Sequence, residues 1–314
     1  MTDTALLGPL IHTADPATWD RLLTQVFGLE RLAEQAFAPD EMTSLWGVPA
    51  TPGALRHYRT PGTAASIFVL TLDGAAAAPE IRDPASGYDA DALKVIDFYT
   101  PDFERAQARL AQAGFALKGD LADYELPAGP IREGHLWGPD GVVCALIGGA
   151  KAFLEDFVSV TDAPFSEVMS VSAPVSDQPA VLAFYQSLGF RELYRYGVDS
   201  ESFQRLVGAD RPIRISAVNM GSHNAQPYVG TIDYALPPAH FRSLRDDAQL
   251  PRRGLAGLVI EVPDLSGALA TLAAAGYSSA EGPAAVDLAG LGLRSWARVT
   301  APHGVEHYLI ARRR

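Results

Sequence analysis

A fourfold internal repeat limits the fold of this chain more than any other feature, because each copy is one supersecondary unit that has to stack on another. In four places an alternating apolar stretch runs into an aspartate suited to cap a helix, then into an amphipathic helix that stops near a glycine. The first copy spans Leu10 to Leu29, with Asp15 at the cap and Trp19, Leu22, Leu23 and Val26 on the apolar face. The second runs from Val95 to Phe115 around Asp102, the third from Val171 to Phe190 around Asp177, and the fourth from Leu258 to Tyr277 around Asp264.

β-type segments follow each helix, among them Ala65 to Leu72, Leu136 to Ile147, Ile213 to Val218 and Ser295 to Ile310. Two contain turns of one shape, Gly138-Pro139-Asp140-Gly141 and Ala301-Pro302-His303-Gly304, which suit hairpins. The reading is an α+β chain of four βαβββ modules. Modules one and three also echo each other in Trp46-Gly47-Val48 and Tyr196-Gly197-Val198, which reads as a duplicated pair.

The length of 314 residues suits two domains, expected at 1–150 and 167–314 with 151–166 as linker, and the sequence leaves open whether modules pair as one with two and three with four or cross-pair between the halves. A formal charge of -12 argues against a polyanionic partner, and the Arg312-Arg313-Arg314 tail is too short to reverse that. The single cysteine, Cys144, lies in an apolar run and reads as a buried thiol. There is no signal-like N-terminus and no apolar run of bilayer length, so the expected location is cytoplasmic, without membrane or nucleic-acid partners. A homodimer is the default assembly.

The segment Asp177-Gln178-Pro179-Ala180-Val181-Leu182-Ala183-Phe184-Tyr185-Gln186-Ser187-Leu188-Gly189-Phe190 resembles the helix signature of the vicinal-oxygen-chelate superfamily, which includes glyoxalases, bleomycin-resistance proteins and extradiol dioxygenases. The Gly138-Pro139-Asp140-Gly141 turn resembles that superfamily too. The resemblance implies paired modules that curl into two open barrels, each concave face holding a small molecule, commonly over a divalent metal.

It also implies where metal ligands should stand. In metal-dependent relatives a His, Gln or Glu opens a module's first strand and a Glu lies on its last strand. The corresponding positions here are Gly8, Val95, Ser170 and Gly257, then Ala145 and Tyr308. None offers an imidazole or carboxylate, so no cofactor is expected.

Residues on the same strand faces are the remaining candidates. They are His12 in module one, Asp97 and Tyr99 in module two, Ser170 and Ser172 in module three, and Glu261, Glu306 and Tyr308 in module four. His12 and Asp97 would face each other if modules one and two shared a barrel. Glu261, Glu306 and Tyr308 form the richer polar set and would supply an acid and a base. His135 with Trp137, and Trp296 with Arg298, pair an aromatic with a donor and suit a flat or acidic ligand. His303 is expected to be exposed and His307 structural. Arg56-His57-Tyr58-Arg59 reads as a strand edge or a carboxylate contact, and His223-Asn224 as a loop near a pocket mouth.

The fold alone does not choose a function. The favoured reading is a metal-independent enzyme shifting protons on a small organic or aromatic metabolite, as an isomerase, epimerase or lyase. One alternative is a protein that sequesters such a compound. Another is a metal-dependent lyase or ring-cleaving dioxygenase with unrecognised ligands.

Overall fold

The computed structural model describes residues 3–82, 87–127, 129–223, 227–282 and 285–312. Module one comprises β1 (Ala5–His12), α1 (Pro16–Arg21), β2 (Glu30–Phe37), α2 (Pro39–Trp46), β3 (Gly53–Arg59) and β4 (Ser66–Leu72). Module two comprises β5 (Val95–Tyr99), α3 (Phe103–Gln112), β6 (Leu117–Leu126), β7 (Gly129–Trp137) and β8 (Val143–Gly149), followed by the short α4 (Lys151–Leu154). Module three contains β9 (Val168–Pro174), α5 (Gln178–Ser187), β10 (Arg191–Val198), α6 (Glu201–Leu206), β11 (Ile215–Gly221) and β12 (Tyr228–Asp233). Module four contains β13 (Gly254–Glu261), α7 (Leu265–Ala274), β14 (Ser279–Glu281), β15 (Val286–Asp287), β16 (Leu293–Thr300) and β17 (Glu306–Arg312).

All four repeat helices are capped as their sequence directs. The carboxylates of Asp15, Asp102, Asp177 and Asp264 accept from Thr18 N, Arg105 N, Ala180 N and Gly267 N, meeting donors that the first helical turn leaves free. Both Pro-Gly turns join antiparallel neighbours, β7 to β8 and β16 to β17.

The strands form two sheets, ordered β14-β16-β17-β13-β1-β4-β3-β2, with β15 on β16, and β10-β11-β12-β9-β5-β8-β7-β6. Modules one and four therefore share one sheet, and modules two and three share the other. This corrects the expected pairing of neighbours in 1–150 and 167–314. The reason lies in the first strands, since β1 pairs antiparallel with β13, and β5 with β9. The stretch expected as a linker, 151–166, thus lies between β8 and β9 of one sheet rather than bridging two barrels. The echo between Trp46-Gly47-Val48 and Tyr196-Gly197-Val198 also falls away, because Trp46 ends a helix whereas Tyr196 lies in a strand. What modules one and three share is a helix inserted after the second strand, α2 and α6.

Alternation along each strand divides the interior. Ile96, Phe98, Cys144, Leu146, Leu258, Ile260 and Leu309 enter a common core with Trp19, Leu110, Phe184 and Leu272 from the repeat helices. Their neighbours Val95, Asp97, Val143, Ala145, Val259, Tyr308 and Ile310 are also buried, but belong to the concave sides. Burial drives the Cys144 thiol well above its ordinary value, which keeps it protonated. Among the described residues no helix is long and apolar enough to cross a membrane.

Candidate active site

The two concave faces have different fates, and the inserted helices account for much of the difference. In the sheet of modules one and four, α2 contributes Met42, Leu45 and Trp46 to a closed apolar cluster with Phe37, Phe68, Trp296 and Tyr308. Trp296 stacks on Tyr308 at 5.2 Å between centroids, and Trp46 meets that phenol ring edge-on at 5.0 Å. Trp296 Nε1 donates to Leu45 O at 2.9 Å, which ties the sheet to α2. In the sheet of modules two and three, α6 brings Phe203 and Leu206 instead. Phe203 meets Tyr124 edge-on at 5.7 Å, and a cavity of about 60 Å³ remains behind them. That volume admits a few water-sized groups, each needing roughly 10–15 Å³ by this measure.

The cavity is polar at its floor and phenolic around its wall. Asp97 on β5 stands opposite Ser170 on β9. The Ser170 hydroxyl donates to Asp97 Oδ2, and Ser172 Oγ donates to the same oxygen at 2.9 Å. The register slips between Asp97 and Phe98, leaving Met169 as an extra residue on β9, and Met169 lines the cavity. Gly230 on β12 makes room here, because a Cβ would lie 2.5 Å from Ser172 Oγ. On β7, Glu133 accepts from His135 Nε2 at 3.0 Å and from the Tyr124 hydroxyl at 2.8 Å. Lys94, just ahead of β5, donates to the Tyr234 hydroxyl at 3.3 Å. Tyr194 and Tyr228 share a hydrogen bond of 2.9 Å, and Tyr196 stacks on Tyr194. Asn219 Nδ2 is buried without a partner among the described residues, a donor left over in the wall.

Removing these groups from water moves their ionisation toward neutral forms. Burial lifts the Asp97 carboxyl to about 7 against the pull of the two serine hydroxyls, and the Glu133 carboxylate adds to the rise. Burial lowers the Lys94 ammonium to about 7, and the Arg82 guanidinium pushes it the same way. The His135 imidazole is lowered by burial despite Glu133, so at neutral pH it is the uncharged ring. If Nε2 donates to Glu133, the lone pair sits on Nδ1. Tyr124, Tyr196 and Tyr228 are raised well above the usual phenol value by burial and stay protonated.

The structure thus gathers Asp97, His135, Ser170 and Ser172 in one cavity. Tyr99 packs behind it against Leu154, Met169 and Tyr228. Trp137 packs beside Val95 and Val143, apart from the cavity wall.

Other candidates lie elsewhere. His12 does not face Asp97, because β1 and β5 belong to different sheets. Its Nδ1 contacts Arg252 O at 3.1 Å and its ring is buried. Glu261 sits at a strand end between Arg312, at 3.1 Å, and Arg294, at 3.7 Å. Glu306 accepts from Thr300 and lies 3.5 Å from Arg298, whose guanidinium covers Gly47 so closely that a Cβ there would lie 2.2 Å from it. Tyr308 and Trp296 are walled into the apolar plug, and the Tyr308 hydroxyl has no partner among the described residues. His12 borders a cleft of about 310 Å³ with Val48, Thr51 and Pro251, and Glu261, Glu306, Tyr308 and Trp296 do not line that cleft.

His303, expected at the surface, is buried near His307 and lowered to about 3 by burial. The turn tucks inward because Gly304 lies against Arg245 O, where a Cβ would come within 2.2 Å. His307 accepts from or donates to the Tyr185 hydroxyl at 2.9 Å. The basic cluster is absorbed locally, Arg56 by Glu34, His57 by Ser66 and Tyr58 by Asp20. His223 lies beyond β11, while Asn224 and Arg313-Arg314 lie outside the described residues.

The donor positions inferred for a metal do not fit one. A side chain at Gly8 would place Cβ 1.7 Å from Ser66 O, and at Gly257 it would meet the Tyr308 ring at 2.6 Å. Val95, Ala145 and Ser170 bring no strong ligand. Among the described residues no three His, Cys, Asp or Glu side chains converge as a ligand set.

Lys94, Glu133, Asn219 and the five cavity tyrosines were not singled out from sequence. Two spacings pointed to them, since Glu133-x-His135 and Tyr194-x-Tyr196 each put two polar groups on one face of a strand.

Residues 168–306 match the model of the Glyoxalase/Bleomycin resistance protein/Dioxygenase superfamily. Glyoxalase I from Zea mays superposes with a TM-score of 0.62 at 14% identity, covering 98% of this chain and 92% of that one. A putative dioxygenase from Bacillus subtilis subsp. subtilis str. 168 superposes with a TM-score of 0.58 at 11% identity, covering 99% and 86%. Such identities establish likeness of fold alone. A sequence comparison with curated proteins finds no match. Residues 168–306 thus carry a domain of the glyoxalase, bleomycin-resistance and dioxygenase superfamily, and the rest of the chain repeats the same order of strands and helices.

Proposed function

We propose that the cavity between modules two and three is a metal-independent acid–base site that shifts a proton on a small organic molecule. The observation that carries this is the meeting of Lys94, Asp97, Glu133 and His135 in one water-poor space. Buried ionisable groups are costly, and a carboxyl and an amine both brought to about 7 are suited to exchange protons at neutral pH. Asp97 would take or return the proton. Glu133 would orient His135, and the protonated tyrosines would donate to an oxygen on which charge develops. No step is routed through a metal, because the residues at the inferred ligand positions do not fit one. The reaction class is isomerisation, epimerisation or elimination.

The test is solvent-proton exchange. Small carbonyl and hydroxy-acid compounds that raise the melting temperature would be incubated with the protein in deuterated water and followed by NMR. We expect deuterium beside the carbonyl, at least tenfold slower with Asp97→Asn or Glu133→Gln, and unchanged by exhaustive chelation. Exchange unaffected by both substitutions, or abolished by chelation and restored by one divalent ion, would overturn the reading. The aromatic wall, with Phe203 and five tyrosines, supports a second reading as a binding protein. In that case a bound compound would be recovered chemically unchanged and without deuterium.

A further inference from the structure

The chain has only three lysines, Lys94, Lys118 and Lys151. Lys118 and Lys151 are exposed, whereas Lys94 is 2% exposed and faces the cavity. A buried ammonium normally has a carboxylate partner. Among the described residues Lys94 has no ion pair, and its side-chain hydrogen bond goes to the neutral Tyr234 hydroxyl. Arg82 pushes the amine toward its neutral form, against the weaker pull of the Glu133 and Asp97 carboxyls that line the same cavity. Arg82, itself buried, donates from Nε to Leu93 O and from Nη2 to Ala92 O, both at 2.9 Å, which holds the guanidinium beside the backbone leading into Lys94. Desolvation and a neighbouring cation are the two conditions that leave a lysine amine unprotonated and nucleophilic.

We propose that Lys94 captures a small aldehyde or ketone as an imine inside the cavity. The proposal rests on the cavity being the reaction site and names its substrate class. The Nζ lone pair attacks the carbonyl carbon and the C=O π pair moves to oxygen. That oxygen takes a proton, and the nitrogen loses one, to give a carbinolamine. Expulsion of the oxygen as water, protonated by the acid form of Asp97, leaves a C=N bond. Amine plus carbonyl gives imine plus water, with no oxidant or reductant, and hydrolysis reverses it. The protonated imine draws electrons from the adjacent carbon, so a neighbouring C–H becomes acidic enough for the Asp97 carboxylate to remove. In this way Lys94 supplies the electron sink that this donor set cannot provide through a metal. The buried Asn219 amide, short of an acceptor, suits a carboxylate or second oxygen on the same small molecule.

The full chain would be treated with glyoxylate, and separately with acetaldehyde, in the presence of cyanoborohydride at about pH 7, then digested and mapped by mass spectrometry. The amine lowered to about 7 should outreact two surface lysines by at least about tenfold. We expect one reduced adduct on Lys94, absent in Lys94→Arg and undiminished in Lys118→Arg. Equal or greater labelling of Lys118 and Lys151 in the folded wild-type protein overturns the imine, and needs no variant to fold. Labelling can be compared with the exchange measurement. If Lys94 stays unlabelled while Asp97→Asn still slows exchange, the imine fails and the acid–base cavity stands. If Lys94 is labelled while Asp97→Asn and Glu133→Gln leave exchange intact, the amine chemistry stands and the acid–base roles fail.

Discussion

Asp97 and Ser170 meet across the β5–β9 pair, and the serine hydroxyl donates into a carboxyl that burial has lifted to about 7. Between the ordinary value of 3.8 and about 7, the folded protein holds this proton while the unfolded chain has released it. The stabilising contribution is therefore complete below about pH 4 and disappears as pH rises through 7. Asp97→Asn keeps an oxygen for both serines and removes the ionisation. Urea denaturation should find it close to wild type at about pH 4 and more stable at about pH 8, by a few kcal/mol, given about 1.4 kcal/mol per unit.

Lys94 behaves in the opposite sense. Its amine is lowered from 10.5 to about 7, so the unfolded chain binds the extra proton between those values and stability rises with pH across that window. Lys94→Met should stabilise the protein by up to a few kcal/mol near pH 6, with the gain shrinking to little by about pH 10. Thermal melts of the two proteins across that range would check the slope. A gain that grew with pH would refute it.

The plug of the other sheet should be structural only. Trp296→Ala removes the ring packed against both Trp46 and Tyr308 and the bond to Leu45 O. A loss of about 3–5 kcal/mol is expected from chemical denaturation. Exchange activity at a temperature where the variant is still folded should be unchanged.

Asp140 anchors the junction between the sheets. Its carboxylate accepts from Thr13 in module one and pairs with Arg253 just ahead of β13, while its backbone takes a left-handed turn at φ 60°. Asp140→Ala would leave the Arg253 guanidinium, largely shielded from water, with Glu80 at 3.5 Å as its remaining carboxylate. A cost of about 1–3 kcal/mol follows, read from the urea midpoint. Asp140→Asn, which retains an acceptor for Thr13, should cost less.

The modules, helix caps and hairpin turns were legible because each depends on neighbours in sequence: Asp15 caps Thr18, and Pro139 with Gly141 turns β7 into β8. Pairing of modules was not legible, since β1 finds β13 through some 250 residues of intervening chain and the apolar pattern of either strand would suit several partners. The candidate site was half legible for the same reason. Asp97, His135, Ser170 and Ser172 follow from alternation on single strands. Which barrel stays open depends on Trp46 filling one and Phe203 leaving space in the other, a difference of volume between two inserted helices that strand periodicity does not encode.

Cross-pairing also orders events during synthesis. Modules two and three can close their sheet while the last quarter of the chain is still being made, but β1 must wait with one edge bare until β13 emerges. The waiting strand contains Gly8 and Pro9, and proline offers no backbone donor, features that discourage a foreign strand from adding there. A break between β8 and β9 would leave two fragments with half of each sheet apiece, so neither piece closes alone and each is the natural template for the other.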